Sequence, residues 1–225
     1  MEIFMADGNG KLHELHRARM RKKFLKNGLE CFEEHEILEM LLYMSIPRGD
    51  VNPTAHLLLN KFGTVEGVLS ADTDDLMSVK GVGDVTATRL HFVGETYGFM
   101  TDRLFRTVPL NTKESIASFA VMRMGCAVAE SAYAAFTDLD GKLIHTVTLY
   151  RSARFRTSNI AEKIITEAQR CCAYGIILMH NHKGEPLIPS PDDDAITQNL
   201  RKMAAEVGIT SVEHVITSEE GFIFI

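Results

Sequence analysis

Apolar residues recur along this chain with two different periods, and the change from one to the other divides it. Up to residue 105 the spacing is helical. Residues 33–44, EEHEILEMLLYM, carry an amphipathic helical pattern that Arg48-Gly49 and Asn52-Pro53 break. Residues 54–62 follow, with Thr54 placed to cap them, and then short helical stretches at 65–69 and 72–79. Lys80-Gly81-Val82-Gly83 has the form of a tight turn between two helices, the second opening near Asp84 and running to 105. Its glycines supply positive-φ positions and let backbone approach a ligand closely. Ahead of these, residues 13–27 set Arg17, Arg19, Arg21, Lys22, Lys23 and Lys26 at helical spacing, as a solvated charged face or a patch facing phosphate. Residues 1–10, with Asp7-Gly8-Asn9-Gly10, read as a frayed start.

After a segment at 106–112 that contains Pro109 and Asn111, the pattern becomes mixed. Residues 111–124 read as a helix. Residues 131–137 are apolar and small, and Asp138-Leu139-Asp140-Gly141 turns them into 142–150 as an antiparallel hairpin. A helix at 161–173 carries Ile160, Ile164, Ile165 and Ala168 on one face. Residues 176–180 are a short apolar run of buried-strand type, 192–207 a helix stopped by Gly208, and 212–216 and 222–225 closing strands. The expected class is α+β: an all-α domain at 1–105, a linker at 106–112 and a mixed α/β domain at 113–225.

The chain has 225 residues, 45% hydrophobic and 24% charged, the profile of a globular protein with one or two domains. A formal charge of -6 argues against a globally basic nucleic-acid coat, though not against a local basic patch. With no long apolar run and no charged-then-apolar leader, a cytoplasmic protein without membrane association is expected. Cys31, Cys126, Cys171 and Cys172 form no C-x-x-C pair, and Cys171 and Cys172 fall on the same expected helix, so reduced thiols are the expectation.

Candidate chemistry is concentrated in residues 175–196, GIILMHNHKGEPLIPSPDDDAI. The apolar run ends in His180-Asn181-His182, and on a strand residues i and i+2 share a face, so both imidazoles point together. Past a Gly/Pro loop, Ser190-Pro191-Asp192-Asp193 opens a helix. Two histidines at a strand end and a carboxylate at a helix start can converge on one metal ion, leaving a fourth position open, which is the catalytic pattern for zinc. Plainer readings compete residue by residue. Ser190 and Pro191 suit an ordinary helix opening, the three aspartates suit the helix dipole, and paired histidines can hydrogen-bond within a loop. His145 and His214 read as ordinary strand-end histidines.

The arrangement H-x-H-x7-S-x2-D, carried by His180, His182, Ser190 and Asp193, resembles the JAMM (MPN+) metalloprotease motif. More broadly the chain resembles bacterial RadC-like proteins, which join a helix-hairpin-helix region to a JAB/MPN domain of cytidine-deaminase-like fold. The ending Glu213-His214-Val215-Ile216-Thr217 is similar to that family's closing strand. The loop departs from it, with Lys183-Gly184-Glu185-Pro186 where Pro-Ser-Gly is usual.

That resemblance implies one zinc ion per chain on His180, His182 and Asp193, and hydrolysis of a peptide or isopeptide bond in a peptide or protein substrate. It implies Glu130, at the opening of the first strand, as general base, and Ser190 as a hydrogen-bond partner of the tetrahedral oxyanion. Taken alone, Glu130 is a solvent-facing carboxylate at a strand start. The other reading is a DNA-binding accessory protein in which Lys80, Gly81, Val82 and Gly83 contact the phosphate backbone without sequence preference and the metal site is not catalytic. A zinc deaminase is disfavoured because it would need a C-x-x-C ligand pair.

Overall fold

Helical spacing in the first part of the chain and buried strands in the second are both realised. The computed structural model describes residues 3–124, 130–150, 159–182, 186–218 and 220–225. Cys126, the arginines Arg151, Arg154 and Arg156, and Lys183-Gly184-Glu185 lie outside them. By residue contacts the chain divides into two units, Met1–Glu95 and Thr96–Ile225.

The first unit holds α1 (Ile3–Asn27), α2 (Glu34–Leu42), α3 (Asn52–Phe62), α4 (Val65–Ser70), α5 (Thr73–Met77) and most of α6 (Asp84–Phe105), inside which the boundary falls. Contrary to the frayed start expected from Gly8 and Gly10, α1 is helical from Ile3. Once a helix exists, each added residue gains a hydrogen bond without a new nucleation cost, and a glycine takes away only about 1 kcal/mol. A capping box opens α2, where Glu33 N donates to Glu36 Oε2 at 2.9 Å. The start of α3 lies before Thr54, because Pro53 fits the first turn, where its missing N–H has no partner to lose.

Leu38, Leu42, Leu58, Val68 and Leu76 pack as the core of this unit. The hairpin glycine Gly81 meets two demands there. Its φ is +93°, and an added Cβ would lie 2.6 Å from Thr54 Oγ1.

This unit also buries charge. Glu39 is 2% exposed, and its carboxylate receives Asn52 Nδ2 at 2.7 Å, Tyr43 OH at 2.7 Å and His16 Nε2 at 2.8 Å. Arg17, read from sequence within a charged surface face, is buried beside them. It donates to Ile46 O and Gly49 O and stacks over the Tyr43 ring. Four basic residues of that run, Arg19, Arg21, Lys22 and Lys26, are exposed.

In the second unit α7 (Lys113–Met124), β1 (Ala132–Thr137), β2 (Leu143–Tyr150), α8 (Ile160–Arg170), β3 (Gly175–Asn181), α9 (Pro191–Glu206), β4 (Ser211–Ser218) and β5 (Gly221–Phe224) build a five-stranded sheet with helices on both faces. The strand order is β2-β1-β3-β4-β5, and only the β3–β4 pair is parallel. Alternate residues choose the layer. Ala132, Ala134, Phe136, Ile176 and Leu178 pack on α8 and α9, while Tyr133, Ala135, Ile177 and Met179 pack on α7. Leu110, within the segment at 106–112, is buried in the second of these layers.

α8 stops at Arg170 rather than 173 because Cys172 turns left-handed (φ 54°) and Ala173 N reaches back to Ala168 O at 2.8 Å, closing the helix as a glycine usually would. Among the described residues no helix is long and apolar enough to cross a membrane.

The Glu39 cluster makes a stability prediction. The carboxyl loses hydration by burial, but hydrogen bonds from Tyr43, Asn52 and His16 outweigh this and hold it below its ordinary 4.5. Its stabilisation is therefore complete above pH 4.5 and is lost as pH falls through the lower folded value. Glu39→Gln should destabilise the protein by about 1–3 kcal/mol at neutral pH. In denaturant titrations the gap to wild type should narrow on acidification.

Candidate metal centre

Strand β3 and helix α9 are consecutive elements, and between them they supply every residue of the H-x-H-x7-S-x2-D pattern. Residues 176 and 178 face α9, so the same alternation turns His180 and His182 toward it, while Asn181 turns away and accepts from Ser131 N at 2.7 Å. The strand's end is secured on its other side by His182 N, which donates to Thr217 O at 2.8 Å.

At the start of α9, Ser190 is the N-cap and Pro191 occupies the first turn. Ser190 Oγ accepts from Asp193 N at 3.2 Å and donates to Asp193 Oδ2 at 2.7 Å, and Ser190 N donates to the same oxygen at 2.8 Å. This reciprocal box is a normal helix opening that also fixes a carboxylate, so the plain and the chemical readings of Ser190 are one arrangement.

His180, His182 and Asp193 are all buried and could hold one metal ion. His180 Nε2 lies 3.3 Å from Asp193 Oδ1, His182 Nε2 lies 3.4 Å from Oδ2, and the two Nε2 atoms are 2.9 Å apart. The two histidines face different oxygens of the carboxylate, and one ligand atom from each of the three residues lies within 4.8 Å of the other two, close enough to share one ion. His182 Nδ1 is 3.3 Å from Pro186 O. A carbonyl only accepts, so the ring's hydrogen sits on Nδ1, and Nε2 of neutral His182 presents a bare lone pair to the centre. The donor set thus fits a small divalent cation.

Burial raises the Asp193 carboxyl, but hydrogen bonds from His180 and Ser190 reverse this and hold it well below the usual carboxylate range. It is a carboxylate at neutral pH, as a ligand must be.

His214 is the residue that sequence reasoning missed. It is not at a strand end but within β4, opposite Leu178 and 1% exposed. Its Nε2 lies 2.8 Å from His180 Nδ1, and its Nδ1 lies 2.6 Å from Thr197 Oγ1, one turn along α9 from Asp193. Burial, with the neighbouring His180, pushes its pKa down to about 3, so the ring is neutral. Only the register of β4 against β3 brings it there. The adjacent Val215, Ile216 and Thr217 marked a strand but not its neighbour.

Glu130 stands just before β1 and is half-buried, with Tyr150 OH donating to its Oε1 at 3.1 Å. The antiparallel register of β1 on β3 pairs Ala132 with His180, so two residues further Glu130 falls opposite His182. It shares the sheet end with the cluster but is not one of its ligands. In the other unit, Lys80, Gly81 and Gly83 are exposed on the hairpin, whereas the Val82 side chain is buried in the core. Whatever Val82 offers a partner comes from its backbone.

Comparison with known proteins agrees with this layout. Residues 110–224 match the model of the RadC-like JAB domain, and residues 53–92 match a SAM-like helix-hairpin-helix tandem. The chain is 30% identical over 215 residues to a UPF0758 protein of Fusobacterium nucleatum, spanning 92% of this chain and 93% of that one. A UPF0758 protein of Ruegeria pomeroyi is 28% identical over 202 residues, spanning 89% and 90% respectively.

The capping box predicts its own cost. Ser190→Ala removes both hydroxyl bonds to Asp193 and should destabilise the metal-free protein by about 0.5–2 kcal/mol, read by chemical denaturation.

Proposed function

The chain belongs to the RadC-like JAB-domain family, and we propose that its buried triad holds one zinc ion and serves the hydrolysis of a peptide or isopeptide bond. The observation that carries this reading is the convergence of His180, His182 and Asp193 at the end of β3, with one ligand atom from each within 4.8 Å of the other two. Zinc in such a site supplies Lewis acidity, which makes water more acidic and a carbonyl more electrophilic.

The protein's own groups have the remaining tasks. Glu130, opposite His182 by register and steadied by Tyr150, is assigned as the base that takes a proton from the attacking water and returns it to the leaving amine. Ser190 is assigned to the tetrahedral oxygen. Its hydroxyl hydrogen, donated here to Asp193, would turn to that oxygen while Ser190 N keeps its bond to the carboxylate. Burial of the triad excludes competing solvent from the ligand atoms.

The helix-hairpin-helix match supports a second task in the other unit: sequence-independent contact with DNA through Lys80 and the backbone of Gly81, Val82 and Gly83. This task does not require the metal, and the two activities are separable by mutation.

Two sets of measurements check these assignments. Metal analysis of the zinc-reconstituted protein should find about one ion per chain, as expected for a single three-ligand site, and none in His182→Ala or Asp193→Ala. Glu130→Gln should keep the ion but lose about 100- to 10,000-fold in the hydrolysis of a peptide or isopeptide substrate found by screening. Zinc missing from the reconstituted wild type would remove the hydrolase reading. For DNA, Lys80→Glu should weaken binding and lower the salt dependence by about one unit of slope. His182→Ala should leave DNA binding unchanged.

A further inference from the structure

We propose that His214 is a positioning residue that, anchored by Thr197, holds the Nδ1 hydrogen of His180 and so leaves Nε2 as its ligand atom. The proposal rests on the metal reading of the triad and adds a reason why His180 can serve in it.

Three short contacts run in series through the buried space between β3, β4 and α9. Thr197 Oγ1 is 2.6 Å from Asp193 O, His214 Nδ1 is 2.6 Å from Thr197 Oγ1, and His180 Nδ1 is 2.8 Å from His214 Nε2. His180, Thr197 and His214 are all buried. Each contact is short enough to require one hydrogen, and the donors available fix where each lies.

A carbonyl oxygen only accepts, so the Thr197 hydroxyl hydrogen goes to Asp193 O, the bond that a helical threonine commonly makes to the preceding turn. Thr197 Oγ1 must then accept from His214 Nδ1. Neutral His214 has no second hydrogen, so its Nε2 accepts from His180 Nδ1. His180 thus keeps its Nδ1 hydrogen on His214 and presents Nε2, its other ring nitrogen, to Asp193 and His182. Running the chain in the opposite sense would leave two oxygens, Thr197 Oγ1 and Asp193 O, 2.6 Å apart with no hydrogen between them.

The two histidines of the triad are therefore set differently. His182 uses a loop carbonyl, Pro186 O. His180 lies within the ladder, where backbone carbonyls engage neighbouring strands, and it takes its acceptor from the next strand. Thr197 ties that acceptor to the same helical turn that carries Asp193. One turn of α9 thus supplies one ligand directly and orients another through two side chains.

The decisive experiment needs no metal. Long-range proton–nitrogen spectra of metal-free protein labelled with ¹⁵N-histidine should show His180 and His214 both protonated at Nδ1. A bare His180 Nδ1 would overturn the proposal, whatever the zinc content. Zinc affinity, measured by competition with a chromophoric chelator, should fall about 10- to 100-fold in Thr197→Val, which keeps the volume but removes the hydroxyl. Thr197→Ser should restore it. Unchanged affinity in Thr197→Val, with its fold intact by the same spectra, would also sink the idea. A wild type that binds no zinc yet shows Nδ1-protonated His180 would remove the metal reading and leave the hydrogen-bond chain standing, so the two failures are distinguishable.

Discussion

Parallel pairing of β3 with β4 obliges the chain between them to cross back to the starting edge of the sheet, and here α9 makes that crossing. A crossover helix must begin near the strand end it has just left. The C-terminal end of β3 and the N-terminal turn of α9 are therefore neighbours whatever else the sequence does. His180 and His182 sit at the first of these places, and Ser190 and Asp193 at the second. The antiparallel strand β1 on the other flank of β3 opens at this same end, two residues after Glu130. The four residues of the pattern meet because of one topological requirement, and each then needs only the right side chain.

What keeps such a site from collapsing is the layer behind it. Three polar ligands without solvent would be expensive to bury unless their remaining hydrogen-bonding atoms were matched. Ser190 binds Asp193 Oδ2 twice, Pro186 O receives His182, and His214 receives His180. Each residue is thereby turned so that its remaining ligand atom looks inward. Orientation and desolvation are thus handled by the same bonds.

Much of this was readable from sequence because it depends on local spacing. His-x-His on an apolar strand run, Ser-Pro at a helix start and Gly81 in the hairpin each act within a few residues, and the structure places them as their periodicity requires. What could not be read depends on register between distant segments. His214 is an unremarkable histidine in a short strand until β4 is laid beside β3. Thr197 is a helical threonine until that histidine is opposite it. Likewise Arg17, indistinguishable in sequence from its exposed neighbours, is taken inside because the carbonyls of Ile46 and Gly49 turn toward it. The left-handed Cys172 is another case, since no preference of cysteine announces that a helix will close there.

The two best-buried carboxylates among the described residues, Glu39 and Asp193, have physically different surroundings. Glu39 is surrounded by hydrogen-bond donors fixed on three elements, Asn52, Tyr43 and His16, which divide between its two oxygens. Such a group is matched in the folded state itself, and its negative charge has no further partner to seek. Asp193 takes both Ser190 donors on Oδ2, and each of its oxygens also faces a ring nitrogen, Oδ1 that of His180 and Oδ2 that of His182. Those two Nε2 atoms are 2.9 Å apart, so two imidazoles and a carboxylate meet at one point, an arrangement that suits a cation, a proton or a metal ion. Asp193 therefore differs from Glu39 less in burial than in its neighbours. The donors around Glu39 come from three separated stretches of chain, whereas Asp193 faces two nitrogens whose lone pairs can serve the same cation that it does.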